Sequence, residues 1–220
     1  MTRRTNARVA GLAYLIYIAA AFPSMVLMGR ATRGEGTAAQ LASLALHANQ
    51  VYLAMVLSLI GSFCALVLAV TLWAITRDQD PDLAMLGLTC RLTEGVTGAA
   101  GVPAILVLLS LVTTPAPDAG SLEALGAFVL GQDALVPATF FAVGSTVFSS
   151  LLLRGRMIPV WLAWIGVIGS ALLIIALPLQ LTHVLGGVVT QLMWIPVAIF
   201  ELVVAVWFIV KGVASPEISR

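Results

Sequence analysis

An all-α bundle of six transmembrane helices, with the amino and carboxyl ends on the same side, is the fold this sequence predicts, and three observations carry the prediction. Of 220 residues, 60% are hydrophobic and only 10% are charged, and the mean hydropathy is +1.07. A soluble globule averages about 25% Asp, Glu, Lys and Arg, so the 21 present here (11 basic plus 10 acidic) cannot coat a water-facing surface. Disorder needs low hydrophobicity with high net charge, whereas the net charge is +1. The apolar residues also collect into charge-poor runs of about 20 residues, the length that crosses a hydrocarbon core of roughly 30 Å.

The runs fall at residues 9–28, 51–76, 83–113, 135–153, 157–177 and 188–210, within one membrane domain over 1–220. The first follows Arg3, Arg4 and Arg8. It outruns the roughly 7–15 apolar residues of a secretory signal and five more runs follow, so it reads as a retained helix. Before the second run, Thr37 with Gln40 resembles a capping box, and Leu41, Leu44, Ala45 and Ala48 keep helical spacing, so a short interfacial helix is expected there. The third run holds Arg91 and Glu94. TPAPDAGS (residues 114–121) follows it, Pro-rich and acidic through Asp118, Glu123 and Asp133. It reads as a solvated connection or, alternatively, a cation-collecting mouth. The sixth run is interrupted by Glu201, and Pro23, Pro103, Pro137, Pro178 and Pro196 can each bend a span.

Basic loop residues resist translocation. Arg3, Arg4, Arg8, Arg77, Arg154, Arg156, Lys211 and Arg220 fall on one side of the predicted bundle, Arg30 and Arg33 on the other. Both ends of the chain are therefore expected in the cytoplasm. Trp73, Trp161, Trp164 and Trp207 lie near the same side, as headgroup-level rings should, with Trp194 in the outer half.

Helices in lipid meet through small residues. Gly95, Gly98 and Gly101 in the third run, Ala134, Ala138, Ala142, Thr146 and Ser150 in the fourth, and Gly166 with Ser170 in the fifth are the expected contact stripes.

Several function classes are excluded or unsupported. A net charge of +1 gives no basic stripe for nucleic acid. Cys64 and Cys90 form no CxxC and read as small buried hydrophobes. HExxH, GxSxG and a Walker loop are missing, so no catalytic residue, cofactor or metal is assigned and the reading leans away from an enzyme. The hydroxyls of Ser58, Ser62, Thr93 and Thr97 are available as nucleophiles, but helix hydroxyls commonly bond their own backbone. His47 and His183 read as hydrogen-bonded interfacial residues, with axial haem ligation the weaker alternative. Gln180, Gln191, Asn49 and Gln50 are candidates for an outer vestibule.

A charge at bilayer centre costs at least ~2.5–3.5 kcal/mol, so ionisable residues inside spans carry the functional hypothesis. Counted from the nearest charged ends of their spans, Arg91, Glu94 and Glu201 lie about 13, 18 and 15 Å deep at 1.5 Å per residue, which is one level. Arg91, Glu94, Gly98 and Gly101 share one helix face; Trp194, Ala198, Glu201, Ala205 and Phe208 define a second. The simplest packing puts these faces together, with the five donors of Arg91 holding both carboxylates. One guanidinium with two carboxylates leaves a net −1 in low dielectric, so one carboxyl is expected to hold a proton or meet water. Arg91, Glu94 and Glu201 are the candidate binding residues. The competing readings are an ion pair that fixes helix registry and an arginine reaching toward headgroups.

ARVAGLAYLIYIAAAFPSM (7–25), RLTEG (91–95), WLAWIGVIG (161–169) and FELVVAVWFIVKG (200–212), in that order and spacing, resemble the bacterial domain-of-unknown-function family 4386 from Ala7 to about Gly212. The resemblance implies a compact six-helix protein of the bacterial cytoplasmic (inner) membrane, and places Arg91 and Glu201 in two charged intramembrane motifs. It brings no activity, substrate or cofactor. GQDALVPATFFAVGS in the fourth run lacks the histidine that the resemblance leads one to expect, so no role is built on one. The expected function is binding or transport of a small solute, linked to a proton, with the lipid bilayer and a homo-oligomer or membrane partner as surroundings. The alternative is a regulatory or accessory membrane subunit whose charge cluster is purely structural.

Overall fold

A computed structural model describes residues 2–114, 119–131, 135–182 and 184–214. Asp118, Asp133, Ala134, His183 and Arg220, singled out above, lie outside the described residues. Among the described residues 86% are helical and none lies in a strand. The helices are α1 (Arg3–Ala31), α2 (Thr37–Leu46), α3 (Ala48–Thr76), α4 (Pro81–Thr113), α5 (Ala119–Leu130), α6 (Leu135–Arg154), α7 (Val160–Leu181), α8 (Val188–Leu192) and α9 (Ile195–Val210). Among the described residues six helices are long and apolar enough to cross a membrane.

Helix starts follow local chemistry. Asp80 caps α4 by accepting from the Leu83 amide, Pro81 fills the first turn where its missing N–H is not needed, and Asp82 meets the positive end of the dipole. Two expectations are corrected. The capping box at Thr37 does not form: Thr37 is already helical, and Gly36 takes the cap position at φ 83, a conformation a threonine resists. The connection expected to be a solvated loop contains α5, whose Leu122, Leu125 and Val129 pack against the cluster holding Leu41, Leu44 and Leu108. The sixth run is also broken: α8 ends at Leu192 and α9 restarts at Ile195, since Pro196 has no N–H to give the Leu192 carbonyl.

The six long helices close into a ring in the order α1, α3, α4, α6, α7, α9 and back to α1. The expected packing of the third run directly on the sixth is therefore wrong, because α4 and α9 stand opposite each other across the ring. The contacts between ring neighbours are made where backbones can approach. A β-carbon at Gly11 would lie 2.6 Å from the Ala205 carbonyl oxygen, and one at Gly95 2.9 Å from the Ser62 carbonyl oxygen. Of the predicted glycine stripe, Gly95 and Gly98 meet α3 while Gly101 meets nothing within 4 Å. Thr146 and Ser170 join α6 to α7 by a 2.8 Å hydrogen bond.

The two ends of the ring differ. Arg3 pairs with Asp78 at 2.6 Å and Arg154 with Asp80 at 3.8 Å. The Ala214 amide donates to the Met157 carbonyl at 3.0 Å. With Arg4, Arg77, Arg156 and Lys211 at the neighbouring helix ends, this is the basic end; Arg30 and Arg33 lie at the far end. One continuous core fills the basic half, from Ala7, Leu68 and Leu72 to Leu151, Leu162 and Phe208. The far half holds two separate clusters, one around Leu44, Val51 and Leu108 and one around Phe141, Leu173 and Val197.

Candidate functional site

Arg91 is fully buried, and its side chain crosses the ring interior from α4 toward α9. Its Nη1 lies 2.9 Å from Glu94 Oε2 on the same helix, and its Nη2 lies 3.9 Å from Glu201 Oε1 on the opposite one. All three predicted site residues are thus brought together, by the reach of one long side chain rather than by contact of their helices. A slot on α6 makes room for its stem: a β-carbon at Gly144 would sit 3.1 Å from Arg91 Cγ.

Aromatic residues complete the surroundings. The guanidinium carbon lies 4.9 Å from the Phe141 ring centroid, 5.9 Å from Tyr17 and 6.0 Å from Tyr14. Cation–π attraction of this kind strengthens when the cation is desolvated. The Tyr17 hydroxyl donates to Glu94 Oε1 at 3.1 Å. Sequence reasoning missed Tyr14, Tyr17, Phe141 and Gly144. The tyrosines had a signal: spaced three apart, they lie on one face of an apolar span, where a buried phenol needs a partner.

The ion pairs are held by distance and not by aligned hydrogen bonds. Arg91 Nε, Nη1 and Nη2, Glu94 Oε2 and Glu201 Oε1 are enclosed without a hydrogen-bond partner.

Cavities of the far half converge on this cluster. One of about 310 Å³ lies inside the ring, with Tyr17, Glu94, Phe141, Gln180 and Trp194 in its wall. A second of about 260 Å³ lies between α1, α3 and α4, lined by Tyr17, Ser24, Ser58, Ser62 and Glu94. Tyr17, Glu94 and Pro137 belong to both walls, whereas Arg91 and Glu201 line neither. A third, of about 580 Å³, opens beside α5 and shares Ser58, Gly98 and Pro137 with the second. The cluster therefore shows its carboxylate Glu94 to the cavities and keeps its guanidinium behind.

The remaining candidates are placed as follows. Glu201, Ala205 and Phe208 face inward, but Ala198 is exposed, so the inward face of α9 runs through Val197 and Val204 instead. Thr93 and Thr97 donate to the carbonyls of Thr89 and Thr93 at 2.9 and 2.7 Å. His47 ends α2, its Nδ1 2.8 Å from the Ser43 carbonyl oxygen. Cys64 and Cys90 are buried thiols. Of the four vestibule candidates, Gln180 lines the ring cavity, Asn49 and Gln191 are exposed, and Gln50 has its Oε1 enclosed without a partner.

A family model described as "Domain of unknown function (DUF4386)" matches residues 9–212. No curated protein and no solved structure matches the chain.

Proposed function

The chain belongs to the DUF4386 family, and we propose that it binds and moves a small solute through the far-half cavities, with Glu94 as the contact residue and a proton as the linked ion. The observation that supports this best is the position of Glu94: only 5% exposed, yet in the walls of two cavities and tied to a guanidinium and a second carboxylate. A carboxylate used only to hold registry has no need of a cavity at its side. With Arg91 and Glu201 the cluster carries one negative charge more than it neutralises, and that surplus is what a proton or a solute would answer.

In this reading the basic end faces the cytoplasm of a bacterial inner membrane, following the bias of Arg and Lys and the tryptophans near that end. The far end admits solute, and the packed basic half is the barrier below it.

Proteoliposomes carrying an internal pH dye test the reading. Addition of small metabolites in turn is expected to find at least one that shifts internal pH with wild-type protein. Ala138→Phe, which fills the ring cavity beside Phe141, is expected to abolish the shift while elution and melting stay as in wild type. Glu201→Gln leaves a balanced Arg91–Glu94 pair and is expected to fold while losing the proton link. A shift that persists in folded Ala138→Phe, or no shift with any solute, overturns the proposal.

A further inference from the structure

The site proposed above has a wall whose chemistry selects a class of occupant. Among the described residues lining the two interior cavities there is no Lys, Arg or His; the charged wall residue is Glu94. Arg91 is fully buried behind it and lines neither. An anion entering would meet a carboxylate first and find the guanidinium out of reach. Besides Glu94 the ring cavity is lined by Phe141 and Trp194, whose rings lie 5.9 Å apart and tilted by 42°, and by Tyr17. Aromatic side chains beside a carboxylate suit an organic cation, since ring quadrupoles attract the positive end; Phe141 and Tyr17 also lie 4.9 and 5.9 Å from the Arg91 guanidinium carbon, so Trp194 and the Glu94 carboxylate take the positive end and the apolar wall takes the rest. A volume of about 310 Å³ sits at the small end of ligand pockets.

We propose that the occupant is a small monovalent organic cation, a protonated amine on a flat apolar body, which displaces the proton from the Arg91–Glu94–Glu201 cluster. The exchange follows from charge. Arg91 contributes one positive charge, Glu94 and Glu201 two negative. Around Glu94, α1 adds the phenols of Tyr14 and Tyr17, while α3, α6 and α7 bring no charged side chain to this level. The surplus is a single negative charge, so a proton or a cation can neutralise it, but both together would leave the cluster positive. In the ring cavity sodium and other bare ions are disfavoured, since beyond Glu94, Tyr17 and Gln180 its wall is made of rings and aliphatic groups rather than convergent oxygens.

This inference rests on the cavity being the solute site, and the experiment separates the two. Purified full-length protein in detergent is titrated with 2-phenylethylammonium, its neutral analogue 2-phenylethanol, and the anion phenylacetate, with the unfolding temperature as readout. The ammonium is expected to raise it saturably, and its apparent Kd to rise about tenfold or more between about pH 8 and about pH 5, a window in which an alkylammonium stays charged. Glu94→Gln is expected to lose the effect. Glu201→Gln, which lies outside the cavity wall, is expected to lose it too, because it removes the surplus charge. A contact acting through the carboxylate alone would survive that second change.

If the neutral or anionic analogue binds and Ala138→Phe blocks it, the solute site stands and the cation assignment falls. Ammonium binding that persists in folded Glu201→Gln, or is indifferent to pH, overturns the exchange. If none of the three probes acts, the cation assignment is overturned, while the proteoliposome assay still decides the solute site.

Discussion

The two halves of the ring are built from the same apolar vocabulary but packed to different ends. In the basic half one core runs unbroken from α1 to α9, and glycines set backbones against one another, as Gly11 does at the Ala205 carbonyl. In the far half the core splits in two, α2 and α5 cover part of the opening, and cavities of about 260 and 310 Å³ reach inward to Glu94. The charge cluster lies at the junction. Close packing transmits strain and tolerates little change, whereas a half with internal space can accept an occupant. On the proposed solute reading, the difference would give mechanical work to the basic half and recognition to the far half, with Arg91 between them.

The largest expected effect comes from removing the residue that joins them. Arg91→Met leaves Glu94 and Glu201 buried without a counter-charge, and breaking a buried pair costs about 3–5 kcal/mol. Poor yield of monodisperse protein and a sharply lowered melting temperature are expected. Arg91→Met combined with Glu94→Gln and Glu201→Gln is expected to recover most of the loss, as buried ion clusters replaced by neutral groups often do. Failure of the triple variant to improve on the single one would mean that Arg91 acts through packing and not through charge.

Paired glycine substitutions compare the halves directly. Gly11→Ala pushes a methyl to 2.6 Å from the Ala205 carbonyl oxygen, and overpacking against backbone is expected to cost about 2–3 kcal/mol. Gly101→Ala in the far half meets nothing within 4 Å, so the gain in helix propensity, about 0.5–1 kcal/mol at most, is unopposed. Melting curves of the two in one detergent check the contrast. Equal losses would mean that the halves are packed alike.

Tyr17→Phe removes the hydroxyl that donates to Glu94 Oε1 at 3.1 Å. Hydrogen bonds to charged groups are worth about 1.5–3 kcal/mol in water-soluble proteins, and membrane interiors run lower. A loss of about 1.5 kcal/mol is expected, with the unpaired Oε1 turned toward the cavities, so solute affinity should change more than stability does.

How much of this was legible in sequence depends on which force fixed each feature. The pairing of Arg91 with Glu201 is legible through their common depth, because lipid excludes charge so strongly that two opposite charges at one level have few other places to go, while the face-to-face helix packing also expected for them does not form. Ring order was not legible. α4 and α9 both carry small residues and could have packed directly, and in lipid many small-residue faces compete on nearly equal terms. Ala198 lies outward against its helical spacing with Glu201 for a related reason: α9 is apolar on nearly every side, so composition gives it no polar face to orient by. α5 was hidden by the Pro, Asp and Gly ahead of it, although Leu122, Leu125 and Val129 keep helical spacing. Tyr17 could have been assigned with the cluster, since a phenol in an apolar run asks where its hydroxyl bonds. The cavities were beyond reach, as they are set by the spaces between helices rather than by any one of them.

The smallest expected effects draw the finest distinction between the halves. Thr146, at the junction and clear of the two cavity walls, bonds Ser170 across α6 and α7 at 2.8 Å, and Ser24 in the far half bonds the Ala54 carbonyl across α1 and α3 at 2.9 Å. Interhelical hydrogen bonds in membranes average about 0.6 kcal/mol, so Thr146→Val is expected to lower stability by about that amount. Ser24 lies in the wall of the second cavity. There the Ala54 carbonyl keeps its place in the α3 ladder and water can replace the lost hydroxyl at nearly equal enthalpy, so Ser24→Ala is expected to cost clearly less than Thr146→Val. Side-by-side chemical or steric-trap unfolding resolves a difference of this size. The inverse order would place water at the Thr146–Ser170 junction and close the far half, contrary to the direction of access on which the solute proposal depends.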